Sequence, residues 1–283
     1  MELSLGVAAL VLFSAALHAG WNTMVKRSGD SLFTTAVIMG TGSAVCALLL
    51  PWVEPPDPAS WPYLAVSVLL HNLYFALLLQ AYRFGDLSQA YPIARGTSPL
   101  IVATGSVFLL GESLGPLQVG GVLLVAGGIA SLAGLGRPRA TVDGRAVPYA
   151  LACGVSIGAF SLVDALGVRA SQRPLSFAVW LTAYEALPLV LFAVWRRRHT
   201  LAESLGSSGW SAPVGGLLAA GAYAIALWAY AHAPAASVAA LRETSVVMAA
   251  LIGALRLGEP FGHRRVLAAA VVVAGVAVLN LAG

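Results

Sequence analysis

The amino-acid sequence predicts an all-α integral membrane protein that has ten transmembrane helices in two inverted repeats of five. Three observations lead to this prediction. Only 10% of the 283 residues are charged and 59% are hydrophobic, whereas soluble proteins carry about 25% charged residues. The chain also contains ten apolar segments, and its two halves match each other at a constant offset.

The low charge content excludes several classes of function. A soluble globule needs more polar residues to cover its surface, and ten spans of about 20 residues each leave room only for short loops. A separate soluble catalytic domain is therefore excluded. The net charge of +4 does not indicate nucleic-acid binding, because cations in a membrane protein mark loop orientation. Cys46 and Cys153 lie in apolar segments, so we expect no disulfide, metal centre or cofactor.

Proline, glycine and charged residues separate the ten predicted spans. The spans cover residues 3–24, 32–51, 61–82, 87–110 and 115–135, and then 147–168, 174–195, 211–231, 236–256 and 264–282. Each is long enough to cross the hydrocarbon core as a helix, and the period-2 alternation of a membrane barrel is absent. The first span is not a typical signal peptide, since it has no basic n-region. We expect repeat 1 at 1–136, a cytoplasmic linker at 137–146 and repeat 2 at 147–283.

The cations in the loops predict the orientation. Arg95 and Arg242 fall inside spans, which leaves 14 of the 16 Lys and Arg residues in loops. Twelve of these lie on one side of a ten-span topology, and only Arg169 and Arg173 lie on the other. Cytoplasmic loops carry the excess of cations, so both termini are predicted outside the cytoplasm. The expected location is the bacterial cytoplasmic (inner) membrane.

An internal repeat is the most informative feature of the sequence. At an offset of 147 residues, the following residues match: Arg95, Thr97 and Ser98 with Arg242, Thr244 and Ser245; Gly111-Glu112 with Gly258-Glu259; Gly115 with Gly262; Gly128 with Gly275. Each half has an odd number of spans, so the second half must be inverted in the membrane. Inverted repeats are typical of secondary transporters, which rock two halves around a central site. A duplication kept only for folding is the alternative.

These marks resemble a known family. The Gly111-Glu112 and Gly258-Glu259 turns, the Gly/Ala-rich helices after them, and the first span from Leu17 to Lys26 are similar to the EamA type of the drug/metabolite transporter (DMT) superfamily. The resemblance covers the whole chain. It implies a transporter of amino acids, other small metabolites or toxic amphiphiles, and not an enzyme. It also implies that spans three, four, eight and nine and their partners line a central cavity, while spans five and ten support it or pack outside it.

Two intramembrane arginines are candidate substrate-binding residues. Arg95 lies in span four and Arg242 in span nine, and Tyr91, Arg95 and Ser98 share one helical face. A guanidinium matches a carboxylate or phosphate with a fixed fork of donors. One hypothesis is that at least one arginine binds an anionic group of the substrate. The other is that each arginine caps carbonyls or pairs with an internal acid and so holds the bundle together.

Other polar residues in the spans are candidates for substrate binding or proton coupling, because ionisable groups inside a membrane mark transport pathways. For substrate binding they are His71, Tyr91, Tyr184, Tyr223 and Trp228, and for proton coupling Glu185, Glu243 and His18. Asn22, Lys26 and Asn72 are predicted to be structural, and Tyr230 to lie in an interfacial aromatic belt. A static ion pair is the alternative role for Glu243. Asp164 is placed nearer the outer end of span six.

Small residues predict close helix packing in spans five and ten. Gly120, Gly127 and Gly134 form one stripe on span five, and Gly121 and Gly128 form a parallel one. Gly275 lies on a similar stripe of span ten. The sequence leaves open whether these stripes pack inside a monomer or form a homodimer contact.

The predicted function is secondary transport of small polar or amphipathic metabolites, such as amino acids or their relatives, by alternating access. Export is the expected direction, and proton coupling is left open. Efflux of cationic amphiphiles is an alternative. A lipid-processing membrane enzyme is a further alternative, although its polar residues should cluster at one interface rather than at mid-depth. The expected partners are a small-molecule substrate and the lipid bilayer, with no nucleic acid.

Overall fold

The computed structural model describes residues 2–27, 31–84, 87–132, 145–199, 211–257 and 263–281. Within these ranges the chain is almost entirely helical and has no strand. The predicted linker at 137–146 lies outside the described residues except for its last two, and the Gly258-Glu259 turn also lies outside them.

Twelve α-helices fill the described ranges. In the first half they are α1 (Leu5–Arg27), α2 (Ser31–Leu49), α3 (Trp61–Phe84), α4 (Leu87–Leu109) and α5 (Pro116–Ser131). In the second half they are α6 (Ala146–Ala170), α7 (Pro174–Glu185), α8 (Leu187–Arg196), α9 (Ser211–His232), α10 (Ala235–Arg242), α11 (Thr244–Leu257) and α12 (His263–Leu281).

These helices make ten spans, because α7 and α8 form one span and α10 and α11 form another. Seven segments are long and apolar enough to cross a membrane by themselves, including Pro174–Arg196 and Ala235–Ile252, which contain the two interruptions. The predicted all-α fold with two five-span repeats is confirmed. The sequence did not predict the interruptions, at Ala186 and at Glu243.

The two halves use equivalent packing. α6 packs against α3 and α4, and its counterpart α1 packs against α9 and the α10–α11 span. α5 and α12, the last spans of the two halves, pack against each other. We call the end of the bundle that holds the chain termini the terminal end and the opposite one the linker end.

One of the two glycine stripes on α5 packs inside the monomer, against α12. A methyl group placed on Gly121 would lie 2.6 Å from Leu279 Cγ and 3.0 Å from the carbonyl oxygen of Gly275, on α12. Gly128 approaches α12 in the same way, whereas a methyl group on Gly120 or Gly127 would meet no atom of the described residues outside its own helix backbone within 4 Å. One of the two stripes on α5 is therefore the contact, and the other faces away from α12.

We expect Gly121→Ala to lower the free energy of unfolding by about 1–3 kcal/mol, because overpacking costs that much in a filled interface. Gly120→Ala is the matched control. It adds the same methyl group to open space and replaces the residue least suited to a helix interior, so the protein should be as stable as the wild type or slightly more stable. Thermal unfolding in detergent measures both. Equal melting temperatures for the two variants would contradict the assignment.

A network of hydrogen bonds around the Glu112–Arg169 ion pair joins helix ends at the terminal end. Gly111 adopts a left-handed conformation with φ of 65°, which glycine allows at little cost, and this turn precedes Glu112. The Glu112 carboxylate accepts hydrogen bonds from Ala235 N at 2.9 and 3.0 Å and pairs with Arg169 at 2.6 Å. Arg169 Nε also donates to the carbonyl of Tyr230 at 3.0 Å. The α4–α5 turn thus holds the ends of α6 and α9 and the start of α10 together.

The structure corrects one prediction in this region. Tyr230 was expected in an interfacial belt, but its side chain is fully buried. Its carbonyl belongs to the network just described, and its hydroxyl lies near Arg242.

Candidate substrate-binding site

A cavity lies between the two repeats. α1–α4, α6, α7, α9 and the α10–α11 span line it, and no described residue of α5 or α12 does so. Its lining runs through both halves of the bundle, since Trp21, Ile38 and Gly216 lie in the linker halves of their spans and Tyr230 and Ala239 lie in the terminal halves of theirs. The predicted candidates that line it are His18, His71, Arg95, Ser98, Glu185, Tyr223, Arg242 and Glu243.

Three of the predicted substrate-binding residues lie outside the lining. Tyr184 is 39% exposed. Trp228 stacks on His232 with ring centroids 4.2 Å apart. The Tyr91 ring lies 5.6 Å from the Arg95 guanidinium, which it supports from outside the cavity. Other aromatic residues that line the cavity are Tyr74, Phe75 and Phe160, and the sequence did not predict the two phenylalanines.

The residues predicted to be structural make hydrogen bonds with main-chain carbonyls. Asn22 donates to the carbonyl of His18, one turn back on α1, at 2.8 Å. Asn72 donates to its own helix and, at 3.0 Å, to the carbonyl of Glu185, where α7 ends. The Lys26 side chain lies outside the described residues.

Arg95 is held by partners from two other spans. Its Nε lies 3.1 Å from Glu243 Oε2, and both side chains are buried. Its Nη2 donates to Ser245 Oγ at 3.1 Å and lies 2.8 Å from His18 Nε2. An arginine can only donate hydrogen bonds, so His18 Nε2 accepts and the imidazole is neutral in this arrangement. These contacts join α4 of the first repeat to the α10–α11 span of the second.

Arg242, the matching residue of the second repeat, has a different environment. Its guanidinium lies 5.6 Å from the centroid of the Tyr223 ring and 3.5 Å from the Tyr230 hydroxyl. No carboxylate of the described residues lies within 4 Å of it. The repeat therefore places two arginines in the cavity, of which one is paired and the other is available to an anion.

Glu185 lies where α7 is interrupted. Pro188 follows it by three residues and cannot donate a main-chain hydrogen bond to the preceding turn, which accounts for the break at Ala186. Glu185 Oε2 is buried and has no hydrogen-bond partner among the described residues, and His71 Nε2 lies 3.7 Å away. Interrupted helices place ion-binding and substrate-binding groups near the bilayer midplane in many transporters. A second interruption, with a glutamate at the break, lies at Glu243 between α10 and α11.

Asp164 lies in a hydrogen-bonded cluster with residues of α3 and α9. Ser67 Oγ donates to Asp164 Oδ1, and the Tyr223 hydroxyl donates to Oδ2. The same hydroxyl lies 3.1 Å from His71 Nε2. Sequence reasoning placed Asp164 near the outer end of its span and missed Ser67. The sequence did contain an indication that Ser67 belongs to the site, because Ser67 precedes His71 by one helical turn and lies on the same face.

The arrangement offers a cation and an acid to one ligand. Arg242 can bind a carboxylate, and Glu185 can bind an ammonium group. Phe160 stacks on His71 with ring centroids 3.9 Å apart, and together with Tyr74 and Phe75 it gives the cavity an aromatic wall. Such pockets bind small molecules through apolar walls and a few convergent polar groups.

Comparisons with known proteins agree with the fold. A family model described as the EamA-like transporter family matches residues 5–134 and 144–281. A crystal structure of a protein at 20% sequence identity superposes with a TM-score of 0.76 and covers 98% of this chain and 99% of its own. At this identity the likeness concerns the fold alone. No curated protein matches the chain.

Proposed function

Because the chain belongs to the EamA-like transporter family, we propose that it is a secondary transporter of small zwitterionic metabolites, amino acids above all, that works by alternating access. The observation that carries this proposal is the unpaired Arg242 in a central cavity that also contains Glu185. Arg242 is partly buried and donates to the Tyr230 hydroxyl, but a cation inside a membrane span is destabilising unless an anion pairs with it, and the carboxylate of a substrate supplies that anion. The ammonium group of the same substrate pairs with Glu185.

Two features support export as the direction. The Glu112–Arg169 pair and the hydrogen bonds from Ala235 to Glu112 hold the α4–α5 turn, α6 and α10 together at the terminal end. The distribution of cations in the sequence predicts that the linker end is cytoplasmic. In the proposed cycle the site takes its substrate from the cytoplasmic linker end, and separation of the Glu112–Arg169 pair opens the terminal end to release it. The two equivalent halves provide the alternative packing that alternating access requires.

Counterflow in proteoliposomes tests the proposed function. Vesicles that contain purified protein and a mixture of unlabelled amino acids should accumulate the corresponding radiolabelled amino acids from outside. Arg242→Gln should lower the initial rate by about 10–100-fold, because a hydrogen-bonded charge contributes about 1.5–3 kcal/mol and 1.4 kcal/mol is tenfold. Arg173→Gln is the matched control, since that residue is 55% exposed in its pair with Glu54 at the terminal end.

The outcomes separate the candidate functions. No counterflow of any amino acid by the wild type would contradict the proposal. Efflux of cationic amphiphiles is the second candidate, favoured by Glu185 and the aromatic wall. Counterflow of tetraphenylphosphonium that is unchanged by Arg242→Gln but lost in Glu185→Gln would establish this second candidate instead.

A further inference from the structure

We propose that Asp164 is a proton-binding site and that Glu185, His71 and Tyr223 connect it to the cavity as a proton relay. The role of this proton in transport rests on the proposed function, but the binding of the proton does not. The relay differs from the coupling residues that the sequence favoured. Of those three, His18 and Glu243 are both engaged with Arg95, and only Glu185 is a member of the relay.

Asp164 is a buried carboxyl group without a cation. Its residue is 0% exposed, and both its oxygens accept hydrogen bonds from neutral hydroxyl groups, those of Ser67 and Tyr223. Among the described residues, no Lys, Arg or His nitrogen lies within 4 Å of it. An ionised carboxylate in such a place is strongly destabilising unless a cation pairs with it. A bound proton removes that cost, and the hydroxyl groups hold the acid in position.

Asp164 and the charged groups near it carry a net negative charge unless one of the carboxyl groups binds a proton. α3 presents His71, α7 presents Glu185 and α9 presents Tyr223. Arg242 is the nearby cation, above the Tyr223 ring. The arginine of α4 is neutralised by its pair with Glu243. Two carboxyl groups therefore face one available cation, and the cluster is neutral when one of the two carries a proton.

His71, Tyr223 and Asp164 lie in contact in that order, and Glu185 lies within 4 Å of the His71 end of this chain of groups. Glu185 Oε2 lies 3.7 Å from His71 Nε2, and His71 Nε2 lies 3.1 Å from the Tyr223 hydroxyl. That hydroxyl donates to Asp164 Oδ2. His71 Nδ1 lies 2.9 Å from the carbonyl of Ser67, which can only accept. Nδ1 therefore carries the hydrogen, and Nε2 is the nitrogen that is free to take a proton from Glu185.

The transfer balances at each atom. The O–H bond of the Glu185 acid breaks and an N–H bond forms at His71 Nε2, which leaves a carboxylate and an imidazolium. The imidazolium then gives this proton to the Tyr223 oxygen while the phenolic proton passes to Asp164 Oδ2. His71 and Tyr223 return to their neutral forms, and Asp164 becomes the acid. Glu185 lines the cavity and Asp164 does not, so the Glu185 carboxylate becomes available to the ammonium group of a substrate.

Infrared spectroscopy of the purified protein tests proton binding without any substrate. The carbonyl stretch of a protonated carboxyl group should be present in the wild type and should disappear between acidic and alkaline buffer. We expect Asp164→Asn to remove a component of this band. Tyr223→Phe should shift the same component to higher wavenumber, because the acid loses a hydrogen-bond partner. Tyr149→Phe, at the linker end of α6, makes the same change outside the relay and should leave the band unmoved.

Two outcomes of the infrared experiment would overturn the proposal. These outcomes are a wild-type protein without a titrating carboxylic-acid band, and an Asp164→Asn protein with the full band. Should Asp164→Asn fail to elute as a monodisperse species, the Tyr223→Phe spectrum decides, and an unshifted band then counts against the relay. Failure of amino-acid counterflow, by contrast, contradicts the transport function and leaves the infrared result intact.

Discussion

Replacement of Arg95 by Gln is expected to lower the free energy of unfolding by roughly 3–5 kcal/mol, the usual effect of removing one partner of a buried ion pair. The reason is the environment of Glu243, which is buried and whose Oε2 has Arg95 as its one close partner among the described side chains. Without the guanidinium, an unpaired carboxylate remains inside the bundle. Glu243→Gln should have a similar effect, because it leaves Arg95 unpaired.

The double variant separates this role from substrate binding. Arg95→Gln/Glu243→Gln replaces two charges by neutral amides that can hydrogen-bond to each other, so it should be clearly more stable than either single variant. A double-mutant cycle from unfolding in detergent measures the coupling. Arg173→Gln is again the control, since exposed pairs contribute about 0–1 kcal/mol and its partner Glu54 is 74% exposed. Strictly additive effects of Arg95→Gln and Glu243→Gln would contradict the structural role of the pair.

The sequence predicted that Arg95 and Arg242 are equivalent, and a closer comparison of the repeats explains why they are not. Glu243 occupies the position that corresponds to Gly96 in the first repeat. A methyl group on Gly96 would lie 3.0 Å from the carbonyl oxygen of Ala126 on α5, so no acidic side chain fits there. Only one repeat supplies the acid. It pairs with the arginine of the other repeat, and Arg242 is left to the cavity.

The fold was predictable because membrane helices are marked by length, composition and charge over whole segments. The contacts of the site depend on helix packing instead. Ser67 and Tyr223 reach Asp164 from positions 97 and 59 residues away in sequence, and nothing in one sequence indicates such pairing. The glycine stripes illustrate the same limit. They predicted a close contact on α5, but neighbouring residues are apolar on every face, so hydrophobic periodicity could not show that Gly121 rather than Gly120 forms it.

Asp164→Asn is expected to abolish accumulation driven by a pH gradient while leaving amino-acid exchange nearly intact. This expectation rests on both proposals above. Exchange returns the carrier loaded in each direction and moves no net proton. Net transport must also return the carrier without substrate, and the proposed proton then neutralises the relay. Asparagine keeps the shape of the side chain and a hydrogen-bonding oxygen, so the fold should persist.

Proteoliposomes that hold purified protein measure the two modes with the same radiolabelled amino-acid mixture. Exchange is measured with equal pH on both sides, and accumulation after a pH step across the membrane. Tyr223→Phe interrupts the relay between His71 and Asp164, so it should slow accumulation in the same direction, and Tyr149→Phe should affect neither mode. If the Asp164→Asn protein accumulates amino acids as the wild type does, the proton bound at Asp164 has no part in coupling. If exchange and accumulation fall together in a folded protein, Asp164 acts in substrate binding, because only a coupling residue separates the two modes.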